Sequence, residues 1–166
     1  VGIYDATKHM AETLCLTYGK AWGVDVTAVR TSFVYGEGHQ VGTYYLDDAR
    51  EGRSIQEAAG ADHPCEYTYV KDVARGIFLA HTVRPLRHRL FNITSGVQHP
   101  RKDLIALVRA AIPDARIDVG PGISESANLR GPCQIHRARI ELGYEPAYSL
   151  ETGFADWLAT SPTPTS

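Results

Sequence analysis

Short apolar runs alternate with longer amphipathic runs along most of this chain, and that alternation constrains the fold more than any other feature. An apolar run of about four to eight residues between turn residues is typical of a buried strand, whereas apolar residues that recur every three or four positions indicate a helix. Strands that are separated by helices favour parallel pairing, because the helix returns the chain to the starting edge of the sheet. The sequence therefore predicts an α/β fold with a mainly parallel sheet.

The periodicity also locates the elements and some of their ends. Ser149 is predicted to cap the last helix, Gly23 to end the first, and Asp72 to have a structural role at the start of the helix after "CEYTYV". The inner side of that helix is predicted to carry Val73, Ile77 and Ala80. Helices are predicted over about 4–22, 43–52, 71–83, 100–112, 135–144 and 149–159, and strands over about 24–30, 65–70, 88–96 and 115–120.

The first predicted helix has an apolar arc that is wider than one packing contact needs. One stripe of it consists of Tyr4, Lys8, Ala11, Cys15, Tyr18 and Trp22, with Ile3, Met10, Leu14 and Ala21 beside it. The polar residues Asp5, His9, Glu12 and Lys20 are placed opposite this arc. We expect one part of the arc to face the rest of the fold and the flank with Met10, Leu14 and Ala21 to form a homodimer.

Composition argues against several classes of protein. The net charge of −2 and the pI near 6.4 disfavour nucleic acid or an anionic membrane as the main partner. No apolar run approaches the roughly 18 residues that span a bilayer. Three widely spaced cysteines indicate a reducing, cytoplasmic setting, and the seven histidines form no H-x-x-x-H pair, so we expect no metal site.

Tyr4 and Lys8 are four residues apart, which places both side chains on one face of the first helix. A phenol is too weak an acid to act as a base at neutral pH, but a neighbouring ammonium favours its ionised form. Such a tyrosine can pass a proton to or from a substrate hydroxyl, and the lysine can also donate hydrogen bonds to a ribose. The pair alone is more simply explained by a surface contact or by a tyrosine buried for packing.

Five stretches give the pair a context: "YDATKHMAE", "VRTSFVYGEG", "EYTYVKDVARGIFLA", "FNITSG" and "LGYEPAYSLETGFADWL". In this order they resemble the later half of the extended short-chain dehydrogenase/reductases, the NAD-dependent epimerase/dehydratase family. The resemblance implies that Tyr4 is the catalytic acid/base and that Lys8 binds the nicotinamide ribose of NAD or NADP. It also implies that Thr31, Ser32, Phe33 and Val34 pass the nicotinamide, although Phe33 and Val34 would equally suit a strand end.

The resemblance implies the later part of a Rossmann-like doubly wound parallel sheet plus a small C-terminal substrate-binding lobe. Residues 1–36 would form the tyrosine–lysine helix and the following strand, and 37–159 the substrate lobe interleaved with the remaining strands and C-terminal helices. The polar, proline-rich segment 160–166 is predicted to be a disordered tail.

The family's glycine-rich turn, G-x-G-x-x-G, does not occur in the sequence, and "GEGHQVG" has the wrong spacing. The family's catalytic Ser or Thr, on the strand before the tyrosine helix, has no counterpart either. We therefore expect the main cofactor-binding half to lie outside this sequence and the 166 residues alone to be inactive.

The expected substrate is a small molecule, a sugar or nucleotide sugar. Cys65 stands where relatives carry an arginine that contacts the diphosphate, whereas Arg130 in "NLRGP" resembles a later phosphate-binding arginine or is a solvated loop residue. The predicted function is that of an NAD(P)-dependent epimerase, dehydratase or dehydrogenase. The alternative is a relative without catalytic activity that serves as a binding or regulatory module.

Overall fold

The computed structural model describes residues 2–37, 44–124 and 129–160 and shows the predicted alternation of helices and strands. The helices are α1 (Ile3–Trp22), α2 (Tyr44–Arg50), α3 (Val70–Thr82), α4 (Arg101–Ala111), α5 (His136–Leu142) and α6 (Leu150–Thr160). The strands are β1 (Ala28–Arg30), β2 (Phe33–Tyr35), β3 (Ile55–Glu57), β4 (Pro64–Cys65), β5 (Tyr67–Tyr69), β6 (Leu90–Asn92), β7 (His99–Pro100) and β8 (Ile117–Val119). Of the predicted tail, residues 161–166 lie outside the described residues, as do 38–42 of "GEGHQVG".

The strands of the described residues pair two by two, and three of the four pairs are parallel. The parallel pairs are β1 with β6, β2 with β5 and β3 with β8, whereas β4 and β7 are antiparallel. At least one helix separates the partners of each parallel pair in the sequence. The α/β class and the mainly parallel pairing are thus confirmed.

Two apolar clusters form the core. The larger one surrounds β2 and β5, and α6 covers it with Phe154 and Trp157, each 3% exposed. The smaller one lies around β6 and α5 and contains Phe91, Ile93 and Tyr144. Both clusters lie among elements that follow α1 in the chain.

Asp72 and Ser149 fix the approach to α6. The buried carboxylate of Asp72 accepts the backbone N–H groups of Ala147 at 2.8 Å and Tyr148 at 3.1 Å. Ser149 caps the helix as predicted, since its Oγ accepts the N–H of Thr152 at 3.2 Å. The structural role of Asp72 therefore extends across the fold to a segment about 75 residues away.

Two predicted details are wrong. The strand predicted from Val24 begins only at Ala28, because the N–H of Val26 donates to the carbonyl of Val24 at 2.9 Å and closes a tight turn. Ile77 is 48% exposed, because the inner side of α3 is centred on Gly76, where an added Cβ would lie 2.2 Å from Ile93. The next residue along a helix points about 100° away from that contact.

The packing of α1 differs most from expectation. None of its residues is buried, and its half-buried positions are Glu12, Leu16 and Gly19. The side of α1 with Glu12, which the sequence predicts to lie opposite the packing arc, is the side that contacts the rest of the described fold (the body). Met10 is 62% exposed, Leu14 68% and Trp22 73%, so the apolar arc has no partner among the described residues.

Candidate active site

The candidate site lies where the first turns of α1 pass the carboxyl end of β1. The guanidinium of Arg30, the last residue of β1, donates to both carboxylate oxygens of Glu12, each at 2.6 Å. Near the other end of α1, an added Cβ on Gly19 would lie 3.1 Å from the Cβ of Val26, which precedes β1. Helix and strand therefore run antiparallel.

This orientation places Tyr4 and Lys8 beyond the end of the strand. A helix rises about 1.5 Å per residue, so Lys8 lies about 6 Å and Tyr4 about 12 Å along the axis from Glu12. The Nζ of Lys8 is 5.4 Å from the centroid of the Tyr4 ring, and Tyr4 is 71% exposed. Both groups are thus open to a ligand at the carboxyl edge, where open α/β sheets bind their ligands.

The other predicted cofactor residues are Thr31 and Ser32, which connect β1 to β2, and Phe33 and Val34, which begin β2. Their exposure differs. Thr31 is exposed and Phe33 is 38% exposed, whereas Val34 is buried. The hydroxyl of Ser32 donates to the carbonyl of Glu66 at 2.6 Å. Ser32 also lies 2.9 Å, Oγ to Oγ1, from Thr68 of β5, so its hydroxyl joins β2 and β5. Thr31 and Phe33 are the side chains of this segment that remain available to a ligand.

Glu66 is a site residue that the sequence analysis missed. It is 2% exposed, and its carboxylate accepts the N–H of Gly96 at 3.0 Å and that of Cys133 at 3.1 Å. Burial, followed by the hydrogen bond and the charge of Glu66, raises the pKa of the Cys133 thiol. A carboxylate between Cys65 and Tyr67 was the available signal, because a buried charge needs hydrogen-bond partners.

Glu66 thereby holds the segment that contains Arg130. Arg130 is exposed, and its backbone carbonyl accepts a hydrogen bond from Gln98 Nε2 at 2.8 Å. Cys65 is buried at 4% exposure, so its side chain offers nothing to a ligand.

Other kinds of site find no support in the part of the chain that the structure describes. None of its helices combines the length and the apolar character needed to cross a membrane. No three side chains from histidine, cysteine, aspartate and glutamate meet there in a way that would hold a metal ion. The three cysteines are free thiols.

Comparison with known proteins identifies the family of this chain. Residues 1–94, more than half of the chain, match the family described as the NAD dependent epimerase/dehydratase family. The chain belongs to this family. The resemblance predicted from the five stretches is confirmed, and because the epimerase/dehydratase family is NAD dependent, the expectation of a nicotinamide cofactor is confirmed at the level of the family.

The chain is similar to UDP-glucuronate 4-epimerase 4 of Arabidopsis thaliana, with 27% identity over 93% of this chain and 40% of the relative. It is also similar to UDP-glucuronic acid decarboxylase 1 of Danio rerio, with 26% identity over 90% of this chain and 37% of the relative. The chain therefore spans about two fifths of the length of these members of the epimerase/dehydratase family.

A solved epimerase from Methanothermobacter thermautotrophicus has the same fold, with a TM-score of 0.82 at 19% identity. The match covers 94% of this chain and 49% of that protein. The predicted fold class, a later part of the Rossmann-like fold of the epimerase/dehydratase family, is confirmed by this match. The predicted division at residues 36 and 159, and the roles of Tyr4, Lys8, Thr31–Val34 and Arg130, stay predictions.

Proposed function

We propose that this chain forms part of an NAD(P)-dependent enzyme that epimerises, dehydrates or oxidises a sugar or nucleotide sugar. The observation that carries the proposal is the exposed Tyr4–Lys8 pair at the carboxyl edge of β1, in a chain of the epimerase/dehydratase family. The relatives named above act on UDP-glucuronate by their names, which favours a UDP-sugar.

The exposed side chains at this edge suit the nicotinamide end of the cofactor. Lys8 offers an ammonium for the ribose hydroxyls. The exposed Thr31 offers a polar contact, and the partly exposed ring of Phe33 offers an apolar one. When bound, the cofactor supplies the hydride acceptor and donor. Backbone groups for its pyrophosphate would come from a glycine-rich turn, which this sequence does not contain.

In this proposal Tyr4 moves the proton of the substrate hydroxyl, and the ammonium of Lys8 lies beside it, 5.4 Å from the centroid of the phenol ring. Proton transfer needs the phenol oxygen within hydrogen-bond reach of the substrate, and the exposure of Tyr4 leaves that approach open. Arg130 would bind a phosphate of the substrate, since a guanidinium matches phosphate oxygens with two donors. The exposed pair favours an enzyme over a relative that serves only as a binding module.

The test is the conversion of UDP-glucuronate by the full-length protein with NAD, followed by separation of the sugar nucleotides. Tyr4→Phe should lower kcat by about 10²-fold or more, the usual scale for loss of a general acid/base. Lys8→Met should impair both kcat and cofactor binding. Tyr18→Phe, which changes another exposed tyrosine of α1, is the matched control. Full activity in Tyr4→Phe would remove Tyr4 from the mechanism.

We also propose that two copies associate through α1. Met10, Leu14 and Ala21 form an apolar flank, of which Met10 and Leu14 are more than 60% exposed. An unpartnered apolar patch on a helix favours association, and a two-fold axis would bring the same flank of both copies together.

Sedimentation of the full-length protein tests this dimer. Leu14→Glu should shift the equilibrium toward the monomer, because the new carboxylate would have to be buried without a partner. Ile140→Glu places the same charge at an equally exposed position of α5 and should leave association unchanged. A wild-type protein that stays monomeric at high concentration would contradict the proposal.

A further inference from the structure

The ion pair between Glu12 and Arg30 is the polar attachment of α1 to the body of the protein. In the described ranges, these are the two hydrogen bonds that α1 makes with residues outside itself and its cap. The remaining contact is van der Waals packing on the half-buried side of Leu16 and Gly19. Among the polar contacts of the described residues, this pair is therefore the one that orients the first turns of α1.

The geometry of the pair suits a positioning function. Nε and Nη2 of Arg30 each donate to a different oxygen of Glu12, and this parallel arrangement restricts rotation as well as distance. The backbone of Arg30 is fixed in the sheet. Its carbonyl accepts the N–H of Ile93 at 2.8 Å, and Arg30 lies opposite Asn92 in the register of β1 and β6. The side chain of Glu12 is only 16% exposed, whereas that of Arg30 is 51% exposed.

The pair lies between the two groups that the proposed function needs together. Glu12 is one helical turn after Lys8 and two turns after Tyr4, and Arg30 directly precedes Thr31. A small tilt of α1 about its packed end near Gly19 would be largest at Tyr4. Displacement of a reacting group by about 1 Å costs up to about 10²-fold in rate.

We propose that Glu12 and Arg30 are positioning residues that set the distance between the Tyr4–Lys8 end of α1 and the segment Thr31–Val34, which connects β1 to β2 and begins that strand. This inference rests on the proposed function for the kinetic part of its test. The pair contributes to catalysis through the placement of Tyr4, and neither side chain contacts the reacting atoms.

The first test compares Glu12→Gln and Arg30→Gln with wild type in the full-length protein. Each variant should lower kcat for UDP-glucuronate by roughly ten- to a hundredfold, with a much smaller change in KM, because substrate contacts elsewhere are intact. Exchanging the charges in Glu12→Arg/Arg30→Glu should recover most of the lost kcat. The matched control is Glu145→Gln, which breaks the Arg139–Glu145 pair, also bidentate, with both contacts at 2.7 Å.

Several outcomes would overturn the proposal: unchanged kcat in both single variants, an equal loss in Glu145→Gln, or no recovery in the exchanged variant. A second measurement is independent of activity. Amide hydrogen exchange over residues 3–11 should become faster in Glu12→Gln and stay unchanged in Glu145→Gln. If wild type converts no UDP-glucuronate, the proposed substrate fails, and equal exchange in wild type and Glu12→Gln would still refute the positioning role.

Discussion

Helices α1 and α6 both carry large apolar side chains, but α6 is buried against the rest of the described fold and α1 is exposed. Four residues of α6, including Phe154 and Trp157, are buried against β5 and its neighbours. No residue of α1 is buried, although it has 20 residues and carries Met10, Leu14 and Trp22. The stability of the described fold therefore comes from the body, whereas the residues proposed for catalysis lie on the helix that contributes least to it.

This difference has a physical meaning for function. A helix surface with so many exposed apolar side chains is typical of an interface or a ligand site. The dimer proposed above would cover one flank of the apolar arc of α1, with Met10 and Leu14.

The largest expected effect is a difference in stability between the two helices. In the 166-residue chain, Phe154→Ala should lower the free energy of unfolding by about 3–5 kcal/mol, because it removes a buried ring and leaves a cavity. Trp22→Ala should change it by less than about 0.5 kcal/mol, since the ring is 73% exposed. Urea unfolding followed by circular dichroism measures both. Equal losses would show that α1 is packed as firmly as the body.

The same contrast explains how much the sequence could predict. Periodicity identified all six helices of the described residues and the capping role of Ser149, because those depend on neighbours in the chain. It shows which residues share a face, but not which face packs. The inner side of α1 is the Glu12 side, and its partner Arg30 lies 18 residues away.

Long-range hydrogen bonds were the other feature that the sequence did not predict. Glu66 binds backbone groups 30 and 67 residues further along the chain, and no local pattern indicates such partners. The motifs did predict Tyr4 and Lys8 as candidates, because an i,i+4 spacing on a helix already determines that the two side chains are neighbours.

A smaller effect is expected from the carboxylate that attaches the segment before α6 to α3. Asp72→Asn keeps the shape but turns an amide donor toward one of the N–H groups of Ala147 and Tyr148. A buried donor left without an acceptor costs about 1–3 kcal/mol, so the free energy of unfolding, measured by urea unfolding, should fall by about that amount. Asp118→Asn, at an exposed position of β8, is the control. Unchanged stability in Asp72→Asn would mean that α6 needs no such anchor.

The smallest effect concerns a surface contact of α6, and it changes how the stability of the fold depends on pH. Asp156 on α6 accepts hydrogen bonds from Lys71 Nζ and from the hydroxyl of Tyr69, each at 2.6 Å. The bond from Lys71, and then that from Tyr69, lowers the pKa of Asp156 below its ordinary value. A carboxylate with a lowered pKa in the folded state stabilises the fold above its unfolded pKa of about 3.9, and this contribution is lost as the pH falls through the folded pKa.

Asp156→Asn should therefore flatten the acid side of the stability curve below about pH 4. The small stabilisation that this exposed pair contributes should be missing from the variant at pH 7, and the difference from wild type should disappear at low pH. Urea unfolding at a series of pH values between neutrality and the acid limit measures that slope. Asp118→Asn, at an exposed position of β8, should retain the wild-type slope. An unchanged slope in Asp156→Asn would show that the contacts of α6 with Lys71 and Tyr69 do not stabilise the body. The contrast between α1 and α6 would then rest on apolar packing alone.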